Sequence, residues 1–253
     1  MPGNQAVSRG QADADRGARR SGQARGLDPD LLARTALDIV DELGAGALNA
    51  RALAARLDVA PSALYKHVAS MDALIDLVLD RALGEFDTRL DADLTWRQEL
   101  ETLAHRLRDV LRAHPGIAAL LKGRDPLGPN SNRLTDAFAR ALLRAGFSGA
   151  EAGHAWYTLV HYVIGFEATF AADTRNHDRA YDQAALDEIH ARFAQVDPDE
   201  FPGLRQLGRH IWAPVLDERF AYGLDVLLDG LALRTAQREP VEQDAGTARR
   251  SRS

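Results

Sequence analysis

The stretch Leu48 to Val68, LNARALAARLDVAPSALYKHV, decides how this chain is read. It predicts two short helices joined by a tight turn. Asn49 is a favourable N-cap, because its side chain can accept from the free backbone N–H groups of a helix running from Ala50 to about Leu57. Leu48, just before the cap, is placed to pack on Leu53 and fix the entry of the chain. Leu53 and Leu57 share one face at i, i+4. Asp58-Val59-Ala60 breaks the helix, and Pro61 suits the first position of the next one, where no backbone N–H is needed. Leu64 and Val68 repeat the i, i+4 spacing and point inward. Ser62, Tyr65, Lys66 and Ala69 are left on the outer face, with Ala63 and His67 on its flanks. That face is small and polar at its start, then aromatic and basic, which suits approach to base edges and phosphates. The pattern is that of a helix-turn-helix, whose second helix enters the DNA major groove. The competing reading is an ordinary antiparallel helix pair inside a helical domain.

Composition is compatible with either. At 253 residues the chain can bury a sizeable core and hold two small domains. It has no cysteine, which removes disulfide and thiol chemistry. No apolar run approaches the ~20 residues of a membrane span, and the N-terminus has no apolar leader. A cytoplasmic protein with no membrane partner is expected. The net charge of -6 does not by itself favour nucleic acid. No strand pattern is convincing, and an all-α fold is expected.

Residues 1–26 carry five arginines against two aspartates, a balance of +3, and almost nothing apolar. They are expected to be disordered, either as a solvated tail or as a basic arm lying on phosphates or in the minor groove. Asp28-Pro29 opens the first helix, with Leu32, Ala36, Ile39, Val40 and Leu43 on one stripe and Gly44 placed to end it. Ser70 caps a fourth helix to about Phe86, with Leu74, Leu77, Val78 and Ala82 inward. Residues 27–86 thus read as one DNA-binding unit. It is acidic: between 28 and 86, five cations face ten carboxylates, a balance of −5. From 49 to 68, however, three cations face one carboxylate, so a local basic edge sits on an acidic body.

Residues 87–236 read as a second helical domain. Trp96, Leu100, Leu103, Leu107 and Val110 give a helical stripe stopped at His114-Pro115-Gly116. Gly123 to Asn132, GRDPLGPNSN, reads as a loop. Leu134, Phe138 and Leu142 mark a helix ended by Gly146. Ser148 and Glu151 form a capping box before a long helix to about Ala172, which carries Trp156, Leu159, Tyr162, Val163, Phe166 and Phe170. A charged loop at 173–182, a helix at 184–196 and a turn at 197–203 follow. A last long helix spans about 214–236, with Leu216, Phe220, Gly223, Leu227 and Leu231 on one face. Residues 237–253 read as a disordered tail. Gly165, Gly223 and Gly230 either let long helices approach closely or are weak points costing about 0.5–1 kcal/mol each.

LAARLDVAPSALYKHVASMDALIDLV closely resembles the DNA-binding segment of tetracycline-repressor (TetR) family regulators. WRQELETLAHRLRDVLRAHPG and LTDAFARALLRAGFSGAEA resemble the C-terminal domain of the tetracycline-repressor subgroup, so the likeness covers most of residues 27–236. The resemblance implies an N-terminal helix-turn-helix domain and a C-terminal effector-binding and dimerisation domain. It implies a homodimeric repressor on palindromic double-stranded DNA, released by a small effector, without a cofactor. The dimer would form through helices near 148–172 and 214–236. On the DNA side, Tyr65 and Lys66 are expected to meet phosphates or base edges, and Pro61, Ser62 and Ala63 to lie nearest the bases. His67 is a backbone contact or a packing residue, and Asn49 and Arg51 complete the set. Asp58 stands where the family usually has glycine, implying a slightly different turn. Met71 stands where the tetracycline repressor has a lysine, removing one phosphate contact.

Aligning on Trp96 and on Gly146-Phe147-Ser148 puts Leu103, Leu107 and Phe138 where the tetracycline repressor holds its drug with polar side chains. With Trp156 they would line an apolar wall. Burying the polar atoms of tetracycline there unpaired would cost about 1–3 kcal/mol each. An apolar or aromatic effector is expected instead, with any polar end met by His105, His161 or Arg108. The alternative is that these residues simply fill the core.

Enzyme chemistry is the competing class. The histidines lack close metal-ligand spacing; His154 and His161 lie seven apart, with Glu151 three residues before the first, and read as a metal pair or as core or interface residues. No P-loop, dinucleotide fingerprint or nucleophile elbow is present. No catalytic residue or metal ligand is assigned. The alternative function is an all-α small-molecule-binding protein or enzyme that does not bind DNA.

Overall fold

The computed structural model describes residues 26–171, 183–208, 210 and 216–237. The basic arm (save Gly26), the charged loop at 173–182 and the tail after 237 lie outside them. The described residues are helical, with no strand among them. The first unit holds α1 (Pro29–Leu43), a 3-10 turn (Ala45–Ala47), α2 (Ala50–Arg56), α3 (Pro61–Leu64) and α4 (Met71–Leu83). The second holds α5 (Trp96–Ala113), α6 (Ile117–Leu120), α7 (Pro129–Arg144), α8 (Gly149–Ala171), α9 (Gln183–Phe193), α10 (Pro202–Leu207) and α11 (Leu216–Ala236).

Helix starts follow their caps. Asp28 accepts the Leu31 N–H at 2.7 Å and Ser70 Oγ the Ala73 N–H at 3.0 Å. Ser148 and Glu151 form the expected reciprocal box at α8. The buried stripe of α1 is Leu32, Ala36, Ile39 and Val40; Leu43, in the last turn, is instead exposed. In α4, Leu74, Val78 and Ala82 are buried as expected, but Leu77 is exposed and Leu79 and Leu83 are buried, as is Phe86 just beyond the helix. At 100° per residue, Leu77 falls on the side of α4 opposite that face. α3 is shorter than expected: past Leu64 the chain tightens, with Lys66 and His67 donating three residues back, to Ala63 O (3.3 Å) and Leu64 O (2.9 Å).

In the second unit, α5 lies among α7, α8 and α11. α7 begins at Pro129, inside the expected loop. On α11 the buried residues are Phe220, Leu224 and Leu228, flanked by half-buried Leu216, Gly223, Leu227 and Leu231, so its inward face is rotated by about one residue. The reason is α8: the Tyr162 hydroxyl donates to Phe220 O at 2.8 Å, and a Cβ on Gly223 would lie 2.2 Å from that hydroxyl. Gly223 therefore serves a close approach within one chain, whereas Gly165 and Gly230 face open space. Arg97 of α5 meets Asp225 and Asp229 of α11 at 3.2 and 2.8 Å, and Arg112 meets Asp217 at 3.2 Å, fixing the register of the two helices.

Candidate nucleic-acid interface and effector core

The turn between α2 and α3 is closed by a full C-terminal motif. Asp58 N–H donates to Ala55 O (3.2 Å) and Val59 N–H to Ala54 O (3.0 Å), with Asp58 at φ 52. This is the left-handed geometry that glycine adopts without cost, so the turn keeps its glycine shape despite the aspartate. Asn49 is committed to the backbone: its Oδ1 accepts from Arg51 N–H (3.1 Å) and Ala52 N–H (3.0 Å), and its Nδ2 donates to Ala47 O (3.1 Å). Leu64 and Val68 anchor the second helix in the core. Arg51, Pro61, Ser62, Tyr65 and Lys66 are exposed, and Ala63 and His67 half-buried.

Charge separates these residues from the rest of the unit. Arg34 and Arg81 pair with Asp30, and Arg56 makes a two-pronged bond to Glu42, which holds that carboxyl below its usual range. Among the described residues, Arg51 and Lys66 enter no ion pair. The acids are also used, on the side that meets the second unit. His114 lies between Asp41 (Nδ1–Oδ2, 2.8 Å) and Glu85 (Nε2–Oε2, 3.2 Å). Arg124 meets Asp72 and, at 3.5 Å, Asp76. Asp80 accepts from the backbone of Asn130 and Ser131. The acidity of the first unit is thus spent mostly on its own arginines and on its junction with the second unit.

In the second unit, Leu103, Leu107 and Phe138 are buried to 1% exposure or less. The Phe138 ring stacks on Phe86 at 6.3 Å, joining α7 to the end of the first unit. Trp156 is half-buried, and its indole N–H is buried without a hydrogen-bond partner. His105 meets the Phe220 ring edge-on at 5.3 Å. Arg108 is buried: Nε lies 2.6 Å from Glu167 and Nη2 2.8 Å from Asp217, and its guanidinium stands 4.2 Å over Phe220 and 5.5 Å over Phe166. Low dielectric strengthens that pairing, and the aromatic faces add to it. The structure therefore gathers His105 and Arg108 about Phe220. His161 stands apart, exposed and stacked on exposed Tyr157 at 3.7 Å.

A groove of about 510 Å³ runs between α8 and α11, lined by His154, Thr158, Val226, Gly230 and Arg234 among others. Near it the two helices expose Tyr157, Tyr222, Val226 and Leu233. Among the described residues no group of three or more His, Asp or Glu side chains is arranged to hold a metal ion, and no helix is long and apolar enough to cross a membrane.

Several working residues escape the sequence reading. Thr95 and Gln98 form a capping box at α5 that the pattern T-x-x-Q does announce. Asp72, Asp76 and Asp80, spaced i, i+4, i+8, mark one face of α4, but nothing in the sequence names their partners. Glu167 carries no local signal.

Residues 90–235 match the tetracyclin repressor-like C-terminal domain. The class A tetracycline repressor protein from transposon 1721 of Escherichia coli is 32% identical over 213 residues, covering 82% of this chain and 92% of the relative. An HTH-type transcriptional regulator of Saccharopolyspora erythraea is 33% identical over 171 residues, covering 68% of this chain and 72% of the relative. The crystal structure of the Streptomyces coelicolor TetR family protein ActR in complex with actinorhodin superposes with a TM-score of 0.76 at 27% identity, covering 84% of this chain and 98% of that one. With its helix-turn-helix unit, its all-helical second unit and these relatives, the chain belongs to the tetracycline-repressor family of transcriptional regulators.

Proposed function

We propose that this regulator is a homodimeric repressor that reads a palindromic operator and leaves it when a small apolar or aromatic effector binds its second unit. Residues 27–86 form the DNA-binding domain and 87–236 the effector and dimerisation domain. The observation that carries the reading is the pair of unpaired cations, Arg51 and Lys66, beside Ser62 and Tyr65, while the other arginines of the unit are neutralised. Pro61, Ser62 and Ala63 face the bases; Arg51, Tyr65, Lys66 and His67 face the backbone and base edges; Asn49 positions them as a cap. The exposed apolar side chains of α8 and α11 form the dimer contact, and a dimer presents two such faces to two half-sites.

The effector is met by the Leu103–Leu107–Phe138 layer and Trp156, with its polar end toward His105 or Arg108; His161 lies on the dimer face of α8. The complex of ActR with actinorhodin supports a small-molecule effector in this fold. Release is a coupling between two sites, so DNA must weaken effector binding by the same factor. No chemistry beyond binding is assigned to these residues. The test is selection of duplexes from random DNA by the purified protein, followed by gel shift. A recovered inverted repeat bound by two subunits is the expected result; recovery of unselected sequence with salt-sensitive binding only overturns the reading.

A further inference from the structure

Asp80 belongs to α4 in the DNA-binding unit, yet it caps a helix of the other unit. Its Oδ1 accepts the backbone N–H of Asn130 (2.9 Å) and of Ser131 (3.0 Å), two of the free donors at the start of α7. The Asn130 side-chain amide closes the contact from the other direction, donating to Asp80 O (2.9 Å) and Oδ2 (3.1 Å). Gly128 makes room: a Cβ there would lie 2.0 Å from Asp80 Oδ1. The residue before α7 thus supplies no capping side chain of its own, and α7 takes its cap from α4. One and two turns back along the same face of α4, Asp76 and Asp72 are held by Arg124, from the segment that leads into α7. The junction is a ladder of three carboxylates gripped by residues 124–131.

We infer that Asp80 is a specificity-determining residue for half-site spacing, fixing α4, and with it the recognition helix, at one angle to the dimerising core. A lone DNA-binding unit reads its half-site whatever its angle. Two units joined through a core read a palindrome tightly only at the separation that core imposes. Loosening the junction relaxes that separation without touching a DNA contact. This inference rests on the dimeric, palindrome-reading function proposed above.

The experiment measures affinity for the selected palindrome and for duplexes with one or two base pairs added to or removed from its centre. Wild type, Asp80→Ala, Asp80→Asn and Gly128→Ala are compared, with thermal unfolding recorded for each. The wild type is expected to lose at least tenfold for each altered spacer. Asp80→Ala and Gly128→Ala are expected to compress that discrimination to threefold or less, while affinity for a single half-site stays within twofold of wild type. Asp80→Asn keeps a capping oxygen and is expected to restore most of the discrimination. Spacing discrimination unchanged in both Asp80→Ala and Gly128→Ala, in folded protein, overturns the inference. So does an equal loss of half-site affinity in both. If the wild type itself selects no palindrome, it is the proposed function that fails.

Discussion

His114 Nδ1 lies 2.8 Å from Asp41 Oδ2, a contact between the end of α5 and α1 that crosses the boundary of the two units. Its Nε2 is 3.2 Å from Glu85 but not aligned for a hydrogen bond, so that second contact is electrostatic. Burial works against the imidazolium, but the two carboxylates outweigh it and the pKa is raised above the ordinary histidine value. Gly116 packs beside this contact, where a Cβ would lie 2.4 Å from Val40 Cγ1.

A raised folded-state pKa means that the charged ring stabilises the fold. That contribution is fully present below the unfolded value of about 6.5 and is lost as pH rises through the raised folded value. Thermal unfolding of wild type and His114→Gln between about pH 5.5 and 9 should show a gap in Tm that is widest in acid and narrows as pH rises. A gap that widens toward alkaline pH would contradict the assignment.

Lys66 is exposed and unpaired, so its charge is available to a phosphate. Lys66→Ala should weaken binding to all duplexes alike and lower the slope of log affinity against log salt by about one. Stability should stay within about 0.5 kcal/mol, as for other exposed substitutions. An unchanged affinity and slope would remove Lys66 from the interface.

The helix-turn-helix was legible because its signals are local. Asn49, Pro61 and Ser70 announce helix ends within a few residues, and Leu53, Leu64 and Val68 declare their faces by spacing alone. What stayed hidden is non-local. Asp80 looks like one more solvated carboxylate until α7 folds onto it, and the start of α7 at Pro129 looks like loop for the same reason: its cap lies 50 residues away. The rotation of α11 follows from Tyr162 reaching Gly223, a contact that no periodicity within α11 contains. The acidic balance of the DNA-binding unit seemed at odds with its role because sequence counts charges without showing which are already paired.

Asp58 is the position where a non-glycine residue occupies the left-handed region among the described residues. Relief of that conformation is worth about 1–2 kcal/mol for an ordinary residue, less for aspartate, and is partly offset by the greater freedom of glycine when unfolded. Asp58→Gly should therefore stabilise the protein by about 0.5 kcal/mol, and Asp58→Val should destabilise it by more than that. A Tm that falls in the glycine variant would show that the aspartate side chain holds the turn.

Arg108 and Glu167 form an ion pair whose side chains are 7% and 8% exposed. Removing Arg108 strands the Glu167 carboxylate in a poor dielectric, at a cost of about 3–5 kcal/mol, whereas removing Glu167 leaves Arg108 its second partner, Asp217. Arg108→Met alone should destabilise by that order, and Glu167→Leu alone by less, because Asp217 still faces the guanidinium. The double variant should lose less than their sum, because no buried charge is then left unpaired and exposed Asp217 keeps Arg112. Strictly additive losses in this cycle would mean that the contact carries no coupling.

The proposed effector layer makes a sharper demand. Leu103, Leu107 and Phe138 present only carbon to whatever lies against them, and buried Arg108, next to Leu107 in the chain, is already matched by Glu167 and Asp217. A ligand rich in polar atoms would leave several unpaired at about 1–3 kcal/mol each, whereas apolar aromatic surface gains roughly 25 cal/mol for every Å² buried. In a thermal-shift screen, apolar aromatic compounds should raise the Tm and loosen DNA in the same rank order, and tetracycline with magnesium should do neither. Phe138→Ala, which costs about 3–5 kcal/mol by opening a cavity, should change that rank order toward larger ligands. Micromolar, magnesium-dependent tetracycline binding, or a ligand ranking indifferent to Phe138, would move the effector site away from this layer.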